Sequence, residues 1–431
     1  MACKSVTFKS RKGSAIMTSM VFILTISLAI VFGIIAPAIA DTVNVRTARD
    51  SRASLFTAQG SLEDVIYRIK TGKNYSAVNE LTLNTTSAST TVADILGGGK
   101  QVTVSGETRD LFRNLSVELS LGSGVSFNFG VQSGEGGIVL QNSSSVNGNV
   151  YSNGPVTGSG NIIRGTAVSA GPSGLIDDIH ATSTVYAHSI VDSTIDGDAY
   201  YESISGTVVY GVSYSSTPDT ATSTLPITDA QIEEWKADAL LGGVISSPCP
   251  YKITDSVSLG PVKIDCDVEI SGNNYDITLN GSVWVAGDID IKNSPTMKVN
   301  PSLGNQSVVV IADEPSNRNT SGKISLENSA SFEGSGGANS YVLMLSKNES
   351  AKNGGSAKAI SVANSVVGDL LIYAGSGQVT LSNSVDLKEV TAYKIVLKNT
   401  AEVTYASGLS SLLFTSGPGG GYEILSWKEV E

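Results

Sequence analysis

The chain has 431 residues, 45 of them glycine, and a formal net charge of −12. That balance argues against a nucleic-acid partner, whose phosphates it would repel, and a 41% share of regularly recurring hydrophobic residues argues against disorder of the bulk. Charged residues at 16% and aromatics at 6%, with abundant Gly, Ser, Thr and Asn, point to a mainly β protein of short strands and tight turns in two or three domains.

The first predicted element is a membrane-spanning helix. No charged residue occurs between Gly13 and Ala40. As a helix, Ser14 to Ala36 would reach ~34 Å at ~1.5 Å per residue, enough for a bilayer core of ~30 Å. Lys4, Lys9, Arg11 and Lys12 precede it and Asp41 follows. Basic flanks stay in the cytoplasm, so residues 1–13 read as a cytoplasmic basic leader. The bulk is then expected outside, as a single-pass membrane protein at the cell surface or in a pilus, with the lipid bilayer as a partner. A secretory signal peptide cut after Ala40 is the competing reading, since Ala38-Ile39-Ala40 has the small residues of a cleavage site. Its apolar core is ~7–15 residues, shorter than this run.

From Asp41 to Lys73 the residues Leu55, Ala58, Leu62, Val65, Ile66 and Ile69 recur at spacings of three and four, giving one apolar helix face. Gly72 is the expected stop and Pro37 the expected bend. Residues 14–75 thus read as a membrane helix running into an amphipathic one.

Arg11-Lys12-Gly13-Ser14-Ala15-Ile16, the long apolar run, and Ser61-Leu62-Glu63-Asp64-Val65-Ile66-Tyr67-Arg68 together resemble the N-terminal segment of type IV pilin-like proteins. The minor-pilin, fimbrial-biogenesis group (PilX-type) is the most similar. The resemblance covers roughly the first 75 residues. It implies that a prepilin peptidase cuts between Gly13 and Ser14, that the apolar helix packs in a filament core, and that pilin subunits and assembly machinery are partners. Thr18 stands at the fifth mature position, where many pilins carry glutamate, which leaves processing and filament incorporation open.

Residues 76–128 alternate apolar and polar in short runs, such as Val102-Thr103-Val104 and Leu115-Ser116-Val117-Glu118-Leu119, separated by turns such as Gly97-Gly98-Gly99. They predict a small antiparallel β-meander against the amphipathic helix. Residues 129–225 carry strands of three to five residues joined by Gly, Asn and Ser turns, the texture of a parallel β-helix or solenoid. Residues 226–243 predict one interrupting helix, a cap or linker. Thr228 and Gln231 are spaced as its capping box, Ile232, Trp235, Ala239 and Leu240 form its buried stripe, and Gly242-Gly243 end it.

Residues 244–431 read as a second solenoid block. An apolar-x-Asn-Ser/Thr motif recurs around Asn293, Asn328, Asn364, Asn383 and Asn399, with an earlier copy at Asn142. The last two copies are 16 apart and the two before them 19 apart, fitting single solenoid turns in which Asn takes a left-handed corner. After Gly417-Pro418-Gly419-Gly420-Gly421, the last apolar strand is expected to close the solenoid end. This ending, with Asn149-Val150-Tyr151-Ser152-Asn153-Gly154, is similar to uncharacterised pilin-like surface proteins of small-genome bacteria.

Candidate chemistry is sparse. Cys249 and Cys266, 17 apart and expected outside, read as a disulfide or as two independent buried thiols. Cys3 precedes the membrane segment. Asp288 and Asp290, or Asp196 and Asp198, alternate on strands and would face one side as a carboxylate pair, with no Arg, Lys or His signature beside them. His180 and His188, with Asp177 and Asp178, are the one candidate imidazole cluster. Ser123 lies in a Gly-Ser-Gly turn, not a nucleophile elbow, and no phosphate-binding loop occurs. The reading is a non-enzymatic surface protein for assembly or adhesion, needing no cofactor or metal, its surface ligand or glycan unnamed. A membrane-anchored carbohydrate-active β-helix enzyme and a self-polymerising, bactofilin-like scaffold are the alternatives.

Overall fold

The computed structural model describes residues 12–70, 75–95, 100–121, 125–406, 408–415 and 422–430. The expected helix stop at Gly72, the Gly97-Gly98-Gly99 turn, Ser123 and the basic residues before Lys12 lie outside them. Helix α1 (Lys12–Lys70) is a single rod that continues through Pro37. Its two halves meet different surroundings. Among the described residues, the large side chains of the apolar half are exposed. The second half buries Ala58, Leu62, Val65, Ile66 and Ile69, with Leu55 half-buried, against an antiparallel sheet.

That sheet is β1 (Val78–Leu83), β2 (Thr86–Asp94), β3 (Lys100–Thr108) and β4 (Leu111–Leu121), each paired with the next. Period-two alternation turns Val102, Val104, Leu115, Val117 and Leu119 toward α1. Arg109 and Asp110, at φ 49° and 64°, make the two-residue turn between β3 and β4. Gly106 permits the close approach of helix and sheet, since a Cβ there would stand 2.3 Å from Ser54 O and 2.8 Å from Ala58 Cβ. Two hydroxyl pairs cross the contact, Ser61 with Thr90 at 2.7 Å and Thr57 with Thr86 at 2.8 Å. Each large aliphatic side chain buried here contributes about 1.5–3 kcal/mol.

From Val131 to Phe414 the strands pair in parallel with a strand one coil away, as in a β-helix. Ile176 pairs with Ile190 and Ile190 with Ile204, giving coils of 14 residues. In the second half Val262 pairs with Val283 and Val268 with Ile289, coils of 21. Inward-facing Val, Ile and Leu fill one continuous aliphatic core. The recurring Asn-Ser/Thr pair marks a corner where both residues are left-handed, as at Asn383 (φ 62°) and Ser384 (φ 59°). The asparagines stack into a ladder of side-chain amides. Asn364 Nδ2 donates to Asn328 Oδ1 (3.0 Å), Asn383 to Asn364 (2.8 Å), Asn399 to Asn383 (3.0 Å) and Asn142 to Asn399 (2.9 Å).

That last bond reveals the topology. Strand Glu389–Lys398 pairs in parallel with Val131–Leu140, and Glu402–Thr404 with Ser145–Asn147. The two blocks read from the sequence are therefore one stack. The chain enters it in the middle, winds out to Ser215, returns along the flank, and starts again at the far end with Val244–Ile245. From there it winds back to meet its own first coil. Helix α2 (Asp229–Leu241) lies on the flank and not between two blocks. The expected capping box is present: Thr228 Oγ1 accepts from Gln231 N, and Gln231 Oε1 accepts from Thr228 N. Ile232 and Trp235 cover outward-facing Val309, Ile311, Leu343 and Tyr373, a face too apolar to leave in water. Leu240 departs from the expected stripe. It is 44% exposed, and Lys236 is buried instead.

The last strand also departs from expectation. β5 (Tyr422–Val430) does not close the solenoid. It pairs antiparallel with the free edge of β4, placing Trp427 opposite Val117, and Arg113 reaches Glu429 at 2.8 Å. Pairing there satisfies an edge that would otherwise stay open beside α1.

Candidate functional site

The feature with the clearest physical demand is the bare half of α1. Every large apolar side chain from Ile16 to Ile39 is 45–74% exposed. The segment's mean hydropathy reaches 2.6, so the helix is long and apolar enough to cross a membrane. Two of its hydroxyls are satisfied within the helix. Ser19 Oγ donates to Ile16 O (3.1 Å) and Thr25 Oγ1 to Phe22 O (2.9 Å), the local back-bonding that satisfies a hydroxyl without water. α1 begins at Lys12, so the Gly13–Ser14 bond lies in its first turn and Thr18 follows within the helix.

Cys249 and Cys266 are joined, with Cα atoms 5.9 Å apart and sulfurs 2.26 Å apart, and clip the loop that starts the second half of the stack.

The carboxylate candidates each have a partner of their own. Asp290 bonds Lys292 at 2.7 Å. Asp288 bonds Lys323 Nζ at 2.9 Å and accepts from Lys323 N at 2.9 Å. Asp198 accepts from Val212 N, and Asp196 meets His180 at 3.2 Å. Coil stacking brings Lys323 next to Asp288 across 35 residues of sequence, a basic neighbour that no local signature marks. Asp288 and Asp290 do share a recess of about 540 Å³ with Asp267 and Glu269. His180 and His188 do not converge, because His188 turns to Asp219 at 3.0 Å. Among the described residues no group of three His, Cys, Asp or Glu side chains is placed to hold a metal.

A second recess, of about 410 Å³, lies where sheet and solenoid meet. Phe129, Tyr151, Tyr186 and Tyr405 line it together with Asn149 and Lys100. Tyr186 begins a column of stacked rings, 4.6 Å from Tyr200, which is 4.5 Å from Tyr214. Rings beside amide and ammonium groups suit a ligand with one flat apolar face and several hydroxyls.

Two fully buried carboxyl groups escaped sequence reasoning. Asp313 is fully buried and takes Arg318 in a two-point bond (2.8 and 3.0 Å) and Lys236 at 2.8 Å. Burial pushes its carboxyl up, but the bonds from Arg318 and Lys236 outweigh that and hold it below the usual range. Lys236 also lies 4.5 Å over the Trp284 ring. A lysine on the buried side of the α2 stripe was the available signal. Glu389 is the second. It is fully buried, accepts from Thr391 Oγ1, and its Oε2 has no hydrogen-bond partner among the described residues. Burial drives its pKa well up. Nothing in its local sequence marks it.

No protein-family model matches the chain, and no curated protein matches it. Among solved structures it is similar to the competence-associated pilin ComZ of Thermus thermophilus, at 9% identity and a TM-score of 0.36, over 88% of this chain and 97% of that one. At that score the likeness carries no functional argument.

Proposed function

We propose that this chain is a non-enzymatic, pilin-like surface protein. The bare half of α1 holds it in the membrane or in the core of a type IV pilus-like filament, with its N-terminus on the cytoplasmic side. The solenoid stands outside for assembly or adhesion. One observation carries the reading: a single uninterrupted helix is docked over its second half and uncovered and apolar over its first. A water-soluble enzyme would have no use for such a rod, whereas a bilayer or a bundle of like helices would cover it. Prepilin-type processing at Gly13–Ser14 and pilin subunits as partners belong to the same proposal. Within it, the aromatic recess at Tyr186 is the place for a saccharide.

Cell fractionation tests the proposal. The chain is expected with membranes or with filaments sheared from the surface, and a chain recovered free in the medium at full length contradicts it. A second reading, a carbohydrate-active enzyme, is favoured only by the recess holding Asp267, Glu269, Asp288 and Asp290. Release of reducing ends from oligosaccharides, abolished by Asp290→Asn, would establish that alternative.

A further inference from the structure

The solenoid has two ends, and they are built differently. At one end the last strands are Ser203–Ser205, Val208–Val209 and Ser213–Ser215. Each has a single strand partner, in Ser189–Val191, Thr194–Ile195 and Ala199–Tyr201. Beyond them the core lies open. Val208 and Val212 are 52% and 53% exposed. Ile204 and Val209 are only partly covered, whereas Ile190 and Ile195, one coil earlier, are fully buried. The returning chain does not cover this end. Gly171 N donates to Thr220 O, the Tyr151 hydroxyl to Ala221 O and Asn153 Nδ2 to Ser223 O, so it runs down the flank.

Free sheet edges are ordinarily guarded by charge, proline or a covering loop. From Ser203 to Thr217 there is no charged residue and no proline. The opposite end has both, with Pro248 and Pro250 in the disulfide-clipped loop and Lys252 and Asp255 beside it.

We propose that the unguarded end docks against the same end of a second copy. A two-fold axis through it sets each last strand against a strand running the other way, so the free edges pair antiparallel with no connection required. The two outlines match because both are the same 14-residue coil, while the opposite end begins on strands paired at spacings of 19 and 17. A two-fold contact between like ends closes at two copies. Residues 203–217 themselves carry no charge although the chain carries −12, so the edge strands add no like-charge repulsion of their own.

The test is the mass of the full-length chain in detergent, by light scattering coupled to size exclusion. The wild type is expected at twice the chain mass of 44.6 kDa. The double variant Val208→Lys/Val212→Lys is expected at half the wild-type value, with an unchanged circular-dichroism spectrum. Tyr210→Glu, at a side chain 73% exposed, is expected to do the same should the double variant misfold. Val244→Lys, at the opposite end, is expected to leave the pair intact. Three outcomes overturn the proposal: a monomeric wild type, whose open end then serves a different protein; a pair that survives both tip variants and so forms through α1; and a pair lost with Val244→Lys.

Discussion

At Asn383 the chain takes a left-handed backbone that costs an ordinary residue about 1–2 kcal/mol, and its side chain joins two neighbouring coils. Each amide bond contributes about 0.5–1.5 kcal/mol net. Asn383→Ala is expected to cost about 2–4 kcal/mol by urea unfolding, and Asn383→Gly less than Ala, because glycine keeps the backbone and loses only the bonds. Equal losses would mean that the corner conformation contributes nothing. Glu389 makes a different prediction. Its raised pKa means that the folded chain keeps a proton the unfolded chain releases above about pH 4.3. That contribution is fully present below the unfolded pKa and is lost as pH rises toward the folded one. Glu389→Gln therefore gains stability relative to wild type as pH rises above about 4.3, and parallel pH profiles would refute the buried protonated carboxyl. The asparagine corner was legible in the sequence because it repeats with every coil. Glu389 was not, because its burial depends on a flank that only the return of the chain supplies.

The elements were legible to the extent that their signals were local. The helix face of α1, the alternation of β2 to β4 and the capping box at Thr228 all follow from spacing within one segment. The destination of β5 was not, since its partner β4 lies some 300 residues earlier and an apolar strand after a glycine run fits either edge. Gly106 tests the docking of α1 on the sheet. Gly106→Val drives a side chain into the Ser54 carbonyl and is expected to cost about 1–3 kcal/mol or more, read as earlier proteolysis within residues 41–70. Asp313 tests the docking of α2. Asp313→Ala leaves Lys236 buried without its full-strength partner and is expected to cost about 3–5 kcal/mol, with α2 the first segment to exchange its amide protons. Because the carboxyl is held below the usual range, its contribution is present above the unfolded pKa of about 3.9 and lost as pH falls through the folded one.

On the scale of the molecule, sequence texture identified a rod, a meander and a solenoid, but divided the solenoid in two. Texture reports that coils exist, and the pairing of Val131–Leu140 with Glu389–Lys398 is what decides their order. The result ties both ends of the chain beyond the apolar half of α1 to one place: α1 leads into the sheet, the solenoid leaves and returns beside it, and β5 completes the sheet. A rigid stack is thereby fixed by two strands of chain to one apolar helix, an arrangement suited to standing off a surface. The measurement that bears most directly on this account is the N-terminal sequence of the protein isolated from its own cells. Retention of α1 with prepilin-type processing gives a mature chain beginning at Ser14. A chain beginning at Asp41 has lost the apolar rod to a signal peptidase and contradicts the account.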